Sequence, residues 1–398
     1  MLAQVLSGIG LAFSYSASVP AAWASVARIE QSTLGHLLRS LHSNGATFLL
    51  AVCALHLLQT ALYGAYRAPR EVTWWLGLCL LFLLLAFCLT GSLLPWDERG
   101  YWATRVTLGI AGTAPMMGQS LERLASGGQE FGNLTLTRFF ALHAMLLPLL
   151  LVAFAAAHVA AMRRHGVKPL REPVSSEPFW PKQALYDAAF SLLLLAALLA
   201  VSLQSGAPLQ GPADPGGAAN PRPEWYFRPL FELLKLMPAG LEAWGTFGVP
   251  LLAAAFLFAL PFIDRSARRR LPVLIAIVGG FLAAAGLGIA SYRSDAASPR
   301  FAQAQAMANK RARRALELAR TMGVPPDGAL ALLQNQPEER GARLFSFACI
   351  ECHTVHGSGG KKAPRLDRYL SRSWIHGALA HPEAPDYYGN AKISGMEP

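Results

Sequence analysis

Four histidines lie inside apolar runs, and their spacing limits what this chain can fold into. His42 and His56 are fourteen residues apart. At about 100° and 1.5 Å per residue, a helix places both rings on nearly one face, about 21 Å apart. His143 and His158 are fifteen apart in a second apolar run. The extra step leaves those rings within about 60° of each other. Ionisable side chains inside a membrane are costly and mark functional sites. Two facing helices with this pattern would grip two flat metal macrocycles about 20 Å apart, across most of a bilayer core. By position, His42 pairs with His143 and His56 with His158.

Composition agrees with a membrane chain. Of 398 residues, 53% are hydrophobic and 15% charged, against about 25% charged in soluble domains. Seven apolar segments stand out, at 1–15, 41–63, 73–94, 139–161, 185–204, 245–263 and 271–291. The expected fold is all-α: a multi-pass transmembrane bundle of about seven helices, followed by a small α-helical module. The first segment is short for a span, so upstream residues are expected. Residues 1–13 carry no Lys or Arg, so the stretch before Ala22-Trp23-Ala24 lacks the basic region of a cleaved signal and reads as a first membrane helix.

The net charge of +11 points to topology rather than to nucleic acid, because the basic residues cluster between apolar runs. Arg67 and Arg70; Arg163, Arg164, Lys168 and Arg171; and Arg265 with Arg268, Arg269 and Arg270 occupy three loops on one side. The positive-inside rule assigns that side to the cytoplasm. The other side carries Arg28, Arg39, Arg99, Arg105, Arg123 and Arg138, in longer connections partly balanced by Asp97, Glu98, Glu122 and Glu130. Seven crossings then deliver the C-terminus to the outer face of a bacterial inner membrane.

That C-terminal region contains Cys349-Ile350-Glu351-Cys352-His353. Two thiols three residues apart can add to the vinyl groups of one haem, and the adjacent His ligates its iron. A redox pair or half a zinc site fits less well, given the adjoining His and the absence of a second cysteine pair. Met396 is the expected sixth ligand, with His356, His376 and His381 as competitors; Met/His ligation gives the higher potential suited to an acceptor. Cys53, Cys79 and Cys88 lie in apolar stretches and read as packing residues. The expected divisions are a dihaem bundle at 1–170, a three-helix region at 171–293, a linker at 294–336 and the module at 337–398.

Other positions join the haem reading. Gly77 and Gly91 are also fourteen apart, and would let each macrocycle edge approach the backbone; helix packing through small residues is the alternative. Arg39, one turn before His42, and Arg163, just after His158, could pair with haem propionates or simply sit at the interface. Pro223-Glu224-Trp225-Tyr226 follows a Pro/Gly-rich outer segment. A carboxylate beside two aromatics at a membrane edge suits proton removal from an amphipathic ring.

Residues 4–292 resemble the cytochrome b of quinol–cytochrome c oxidoreductases, especially the chloroplast and firmicute type. The resemblance rests on Arg39-Ser40-Leu41-His42, Pro69-Arg70-Glu71-Val72-Thr73-Trp74, Leu94-Pro95-Trp96-Asp97 with Gly100-Tyr101-Trp102-Ala103, Leu136-Thr137-Arg138-Phe139 before His143, and Pro223 to Phe227. The fifteen-residue histidine spacing is that of the chloroplast type. Residues 172–292 resemble its separate subunit IV, fused here, and residues after 337 resemble a class I cytochrome c domain.

The resemblance implies quinol oxidation at an outer site. One electron would go to a Rieske iron–sulfur partner, and the other across two non-covalent b haems to quinone at an inner site. It implies a homodimer, a covalent haem c, and a downstream cytochrome c or oxidase. Glu224 would accept a quinol proton and Tyr226 would line the pocket. Residues 101–110 would form its other wall and the Rieske docking surface, and Gly8 would match a haem-contact glycine of the first helix. Arg228 stands where the family usually has an apolar residue, and nothing in the sequence accounts for it. The chain stops two residues after Met396, so a clipped C-terminus is also expected. A dihaem membrane anchor would need neither the Pro-Glu-Trp-Tyr segment nor the long outer loop; a non-catalytic haem c tether would leave the histidine pairs idle.

Overall fold

The computed structural model describes residues 1–114, 116–167, 178–217, 222–238, 240–242, 244–355 and 357–389, with the side chains of 267–269, 338, 339, 342 and 343 left aside. Lys168, Arg171, His356 and Met396 therefore lie outside the described residues. The chain divides into two units, Met1–Leu330 and Ala331–Pro398.

The first unit is helical. A short apolar helix α1 (Leu2–Ala12) leads to α2 (Val19–Gln31) and then α3 (Thr33–Tyr63). Next come α4 (Glu71–Leu93), α5 (Glu98–Gly112) and α6 (Gly118–Ser126). The remaining elements are α7 (Asn133–His165), α8 (Phe179–Ser205), α9 (Arg228–Leu236), α10 (Trp244–Ile263), α11 (Ala267–Ala296) and α12 (Pro299–Met322). Among the described residues six helices are long and apolar enough to cross a membrane: α3, α4, α7, α8, α10 and α11.

Local chemistry sets the ends of these helices. Ser32 caps α3 by accepting from Gly35 N at 3.0 Å, and Gly64 closes it with φ +66, a left-handed cap that glycine adopts without steric cost. Asp97 caps α5 through Gly100 N at 2.8 Å.

Proline shapes two of the spans. In α7, residues Leu142–Leu146 form a π-helical turn, with Leu147 N–H bonding back to Leu142 O. Pro148 lies just beyond, and its ring crowds the carbonyl of Ala144 inside that turn. A π turn absorbs one extra residue. The fifteen-residue spacing of His143 and His158 thereby recovers the facing that fourteen residues give His42 and His56. In α10, Pro261 has no N–H to offer the carbonyl of Leu257. Trp74 Nε1 donates to that carbonyl instead, at 2.8 Å, and Trp75 Nε1 reaches Phe258 O at 3.0 Å. An unpaired carbonyl in lipid is costly, so the proline on α10 is answered by a tryptophan on α4.

At the end of the bundle near His56, Asp264 is fully buried. It accepts from Tyr66 at 2.6 Å, Arg67 at 2.5 Å and Arg270 at 2.9 Å. This pins the α3–α4 connection to the α10–α11 connection. Burial pushes the Asp264 carboxyl up, but the bonds from Arg67, Tyr66 and Arg270 outweigh it and hold the group below the usual carboxylate range.

The segment expected to be a linker, with a helical Arg/Ala stretch around Lys310 to Arg320, contains a 24-residue helix, α12. Its buried face is Ala312, Ala315 and Leu318, and it packs against α2. Arg311 reaches Glu98 at 3.7 Å and Asp214 at 3.4 Å. Small residues on one face allow the close approach that a polar composition concealed.

The chain passes through α13 (Ala329–Gln334), where the first unit ends. The second unit has α14 (Pro337–Leu344), continued by a π turn over Phe345–Cys349. A small antiparallel hairpin, β1 (Thr354–Val355) and β2 (Ser358–Gly359), pairs Thr354 with Gly359 and Val355 with Ser358; α15 (Arg372–Ala380) follows.

Candidate functional site

The four membrane histidines come together as the spacing requires. His42 on α3 and His143 on α7 face each other with ring centroids 6.2 Å apart. That is about the span of two imidazoles bound at about 2 Å on opposite sides of one metal. Their second nitrogens are held. Ser7 Oγ is 3.0 Å from His42 Nδ1, and Thr90 Oγ1 is 3.0 Å from His143 Nδ1. Both hydroxyls already donate to helical carbonyls, Ala3 O and Ala86 O, so each accepts the Nδ1 proton and leaves Nε2 with its lone pair. His158 does the same at the other end, with Nδ1 donating to the Thr73 carbonyl at 2.9 Å. Such second partners fix the tautomer and orientation of metal-ligating histidines.

Glycines stand where side chains would collide with these rings. A Cβ on Gly91 would lie 2.7 Å from His143 Cε1; on Gly8, 3.1 Å from His42 Cε1; and on Gly77, 3.2 Å from His158 Cε1. His56, His158 and Gly77 line a cavity of about 350 Å³ together with Cys53, Trp74 and Arg70, within the size range of small-molecule and cofactor sites. The histidine tautomers and glycine clefts thus fit flat metal macrocycles at both levels.

The arginines near the two levels differ in their surroundings. Arg39 pairs with Glu30 at 2.5 Å and also donates to the Ala207 carbonyl, so it fastens α3 to α2 and to the segment after α8. Arg163 is exposed. It is Arg70 that lines the His56 cavity, anchored through Nε to Gly166 O at 3.1 Å. Arg70 lay within the Pro69-Arg70-Glu71 motif, but as a loop residue it signalled only topology.

Near the His42 end, the segment after α8 folds against the start of α5. Glu98 N donates to Gly211 O at 2.8 Å and Ala213 N to Trp96 O at 3.1 Å. Asp97 accepts from Gln210 N at 3.2 Å, and Trp23 Nε1 donates to Gln210 O at 2.8 Å. Burial pushes the Asp97 carboxyl up, against the pull of these N–H donors.

Beyond this tie, Phe227 N bonds to Glu224 O at 2.9 Å, a turn that sends Glu224 and Tyr226 in different directions. Glu224 forms an ion pair with Arg99 at 2.7 Å. Tyr226 packs against Leu50, Leu84 and Leu151 and shares a hydrogen bond with Cys88. Burial, then the nearby Cys88 and Glu224, push the Tyr226 phenol well above its ordinary range, so it stays neutral. Arg228 is buried, 2.7 Å from Asp295 on α11 and stacked 4.0 Å over Tyr292. It holds the start of α9 to the end of the last span, which accounts for the charge at that position.

In the second unit, His353 Nδ1 donates to Pro364 O at 2.7 Å, again leaving Nε2. Cys352 N and His353 N both bond to Cys349 O. This turn holds the two thiols and the imidazole together. Phe347, Leu370, Ile375 and Leu379 in the same unit expose apolar surface.

A family profile described as cytochrome b(N-terminal)/b6/petB matches residues 47–212, and one described as cytochrome b(C-terminal)/b6/petD matches residues 214–289. The cytochrome b of Rhodospirillum rubrum is 35% identical over 280 residues, covering 67% of this chain and 68% of that protein. The chain belongs to the cytochrome b family. The cytochrome b of Rickettsia conorii is 32% identical over 282 residues, 67% of this chain and 69% of its own length. A solved structure of a hyperthermophilic respiratory complex III is similar at a TM-score of 0.64 and 28% identity, covering 83% of this chain and 88% of that one. As a cytochrome b, the chain is a membrane electron-transfer subunit of complex III, a quinol:cytochrome c oxidoreductase. The family binds two b haems.

Proposed function

We propose that His42 with His143, and His56 with His158, are the axial ligands of the two b haems. The supporting observation is that three of these four imidazoles have Nδ1 hydrogen-bonded, which leaves Nε2 its lone pair, and a glycine against the Cε1 edge of the ring. Haem bound there supplies one-electron redox chemistry. The protein fixes the tautomers, keeps the clefts open with Gly8, Gly77 and Gly91, and surrounds both levels with apolar helices that exclude water.

Quinol oxidation belongs at the His42 end. Glu224 is the proton acceptor there, and Tyr226 is a neutral hydrogen-bonding wall of the pocket. Helix α5 forms the opposite wall and the docking surface for a Rieske iron–sulfur partner. Arg67 and Arg70, Arg163 and Arg164, and Arg265 and Arg270 lie at the His56 end, which favours the cytoplasm on that side of a bacterial inner membrane. The outer, periplasmic side then holds Glu224 and the second unit.

Cys349, Cys352 and His353 carry a covalent haem c, supported by the anchored Nδ1 of His353. Met396 is its sixth ligand. The haem c is the acceptor that passes electrons to a downstream cytochrome c or oxidase, and the assembly is a homodimer. A reduced-minus-oxidised spectrum with haem quantitation on the purified chain tests this: two extractable b haems and one covalent c haem are expected. No b haem would overturn the ligand assignment; b haems without covalent haem would overturn only the haem c part.

A further inference from the structure

We propose that Arg99 is a positioning residue for quinol oxidation, holding the Glu224 carboxylate at the aqueous edge of the pocket between turnovers. The inference rests on the quinol-site reading above.

Arg99 stands in the first turn of α5, where the helix dipole disfavours a cation. The position therefore does nothing for the helix itself. Its backbone is tied to residues 210–213 of the segment after α8. Asp97 bonds both Gly100 N and Gln210 N, and Glu98 N bonds Gly211 O. The neighbouring acids are engaged elsewhere, Asp97 in those bonds and Glu98 with Arg311. The Arg99 guanidinium meets Glu224 at 2.7 Å, with the two side chains 47% and 37% exposed.

The same turn sends Tyr226 the other way, into the cluster of Leu50, Leu84 and Leu151. Pocket and water thus lie on opposite sides of residues 224–226, and Arg99 is on the water side. A half-exposed pair of this kind is weak enough to open at each turnover. Glu224 swings inward and takes a proton from a quinol hydroxyl: the quinol O–H bond breaks and a Glu224 Oε–H bond forms. One electron leaves to the b haem as this proton goes to Glu224; the other electron and the proton of the second hydroxyl leave together to the iron–sulfur partner. Neutral Glu224 then loses its proton to water. The restored carboxylate is drawn back to Arg99, so protons leave on the aqueous side.

The test uses the full chain in its assembled, haem-loaded complex, with decyl-chain benzoquinol and naphthoquinol analogues as donors and b-haem reduction followed by stopped flow. In R99Q, kcat is expected to fall about fivefold, the loss of one half-exposed pair, with KM for quinol and the haem spectra unchanged; R99K restores at least half the rate. Because Arg99 acts through Glu224, R99Q/E224Q should be no slower than E224Q alone. A wild-type rate in R99Q beside a slow E224Q overturns the inference alone. So does a loss that adds to that of E224Q, or a loss of b haem in R99Q, which would make Arg99 structural. A wild-type complex that oxidises neither quinol overturns the quinol reading, and this inference with it.

Discussion

The hydroxyl of Thr90 lies 3.0 Å from Nδ1 of His143 while donating its own proton to the Ala86 carbonyl 2.8 Å away. The direction of one hydrogen bond on α4 thereby decides the tautomer of a ring on α7. Thr90→Val keeps the shape and removes the acceptor. Haem affinity at the His42 level is expected to fall about 10–100-fold. Haem retention through detergent purification, compared with wild type, measures this; undiminished retention would show that Thr90 does not set the ring.

Gly91 and Gly77 separate the two levels genetically. A side chain at Gly91 meets His143, and one at Gly77 meets His158. Gly91→Val should leave a chain with the His56-level b haem alone, and Gly77→Val the reverse. Pyridine haemochrome quantitation with redox titration of the remaining band distinguishes them.

Asp264 is expected to give the chain an acid limit. Its folded pKa lies below the unfolded value of about 3.9. The stability it contributes is therefore fully present above about pH 4 and is lost as pH falls through the depressed folded value. Asp264→Asn should cost about 3 kcal/mol, the lower end for breaking a buried pair, because Arg67 and Arg270 keep contact with water. Thermal unfolding from wild-type and mutant membranes between pH 3 and 7 reads both effects, as a lower Tm and a flatter acid limb in the mutant.

The haem c assignment is open to a covalent test. Cys349→Ser with Cys352→Ser should abolish haem staining of the denatured chain while leaving the b-haem spectrum intact. Staining that survives both changes would place the attachment elsewhere.

Much of the membrane architecture was legible because lipid leaves few choices. The apolar runs containing residues 41–63 and 139–161 became spans, and histidines fourteen and fifteen apart landed opposite one another. The π turn in α7 was not legible from histidine spacing alone; Pro148, five residues past His143, was its signal. Contacts of large sequence separation were also hidden. Arg39 had an equally good local partner in Glu30, so proximity to His42 did not decide its role. Arg163 read as a candidate propionate partner and Arg70 only as a loop charge, yet the fold places Arg70 at the cavity.

The sequence by itself determined six spans and the two histidine levels, because helix period and bilayer thickness each impose a spacing along one chain. Tertiary structure alone decided the tautomers, the partner of each arginine, and the packing of α12 against α2. These depend on groups distant in sequence: Ser7 with His42, Thr90 with His143, Arg99 with Glu224, and Arg228 with Asp295. A periodic pattern states which face of a helix is buried, but a hydrogen bond or ion pair needs the second atom in place.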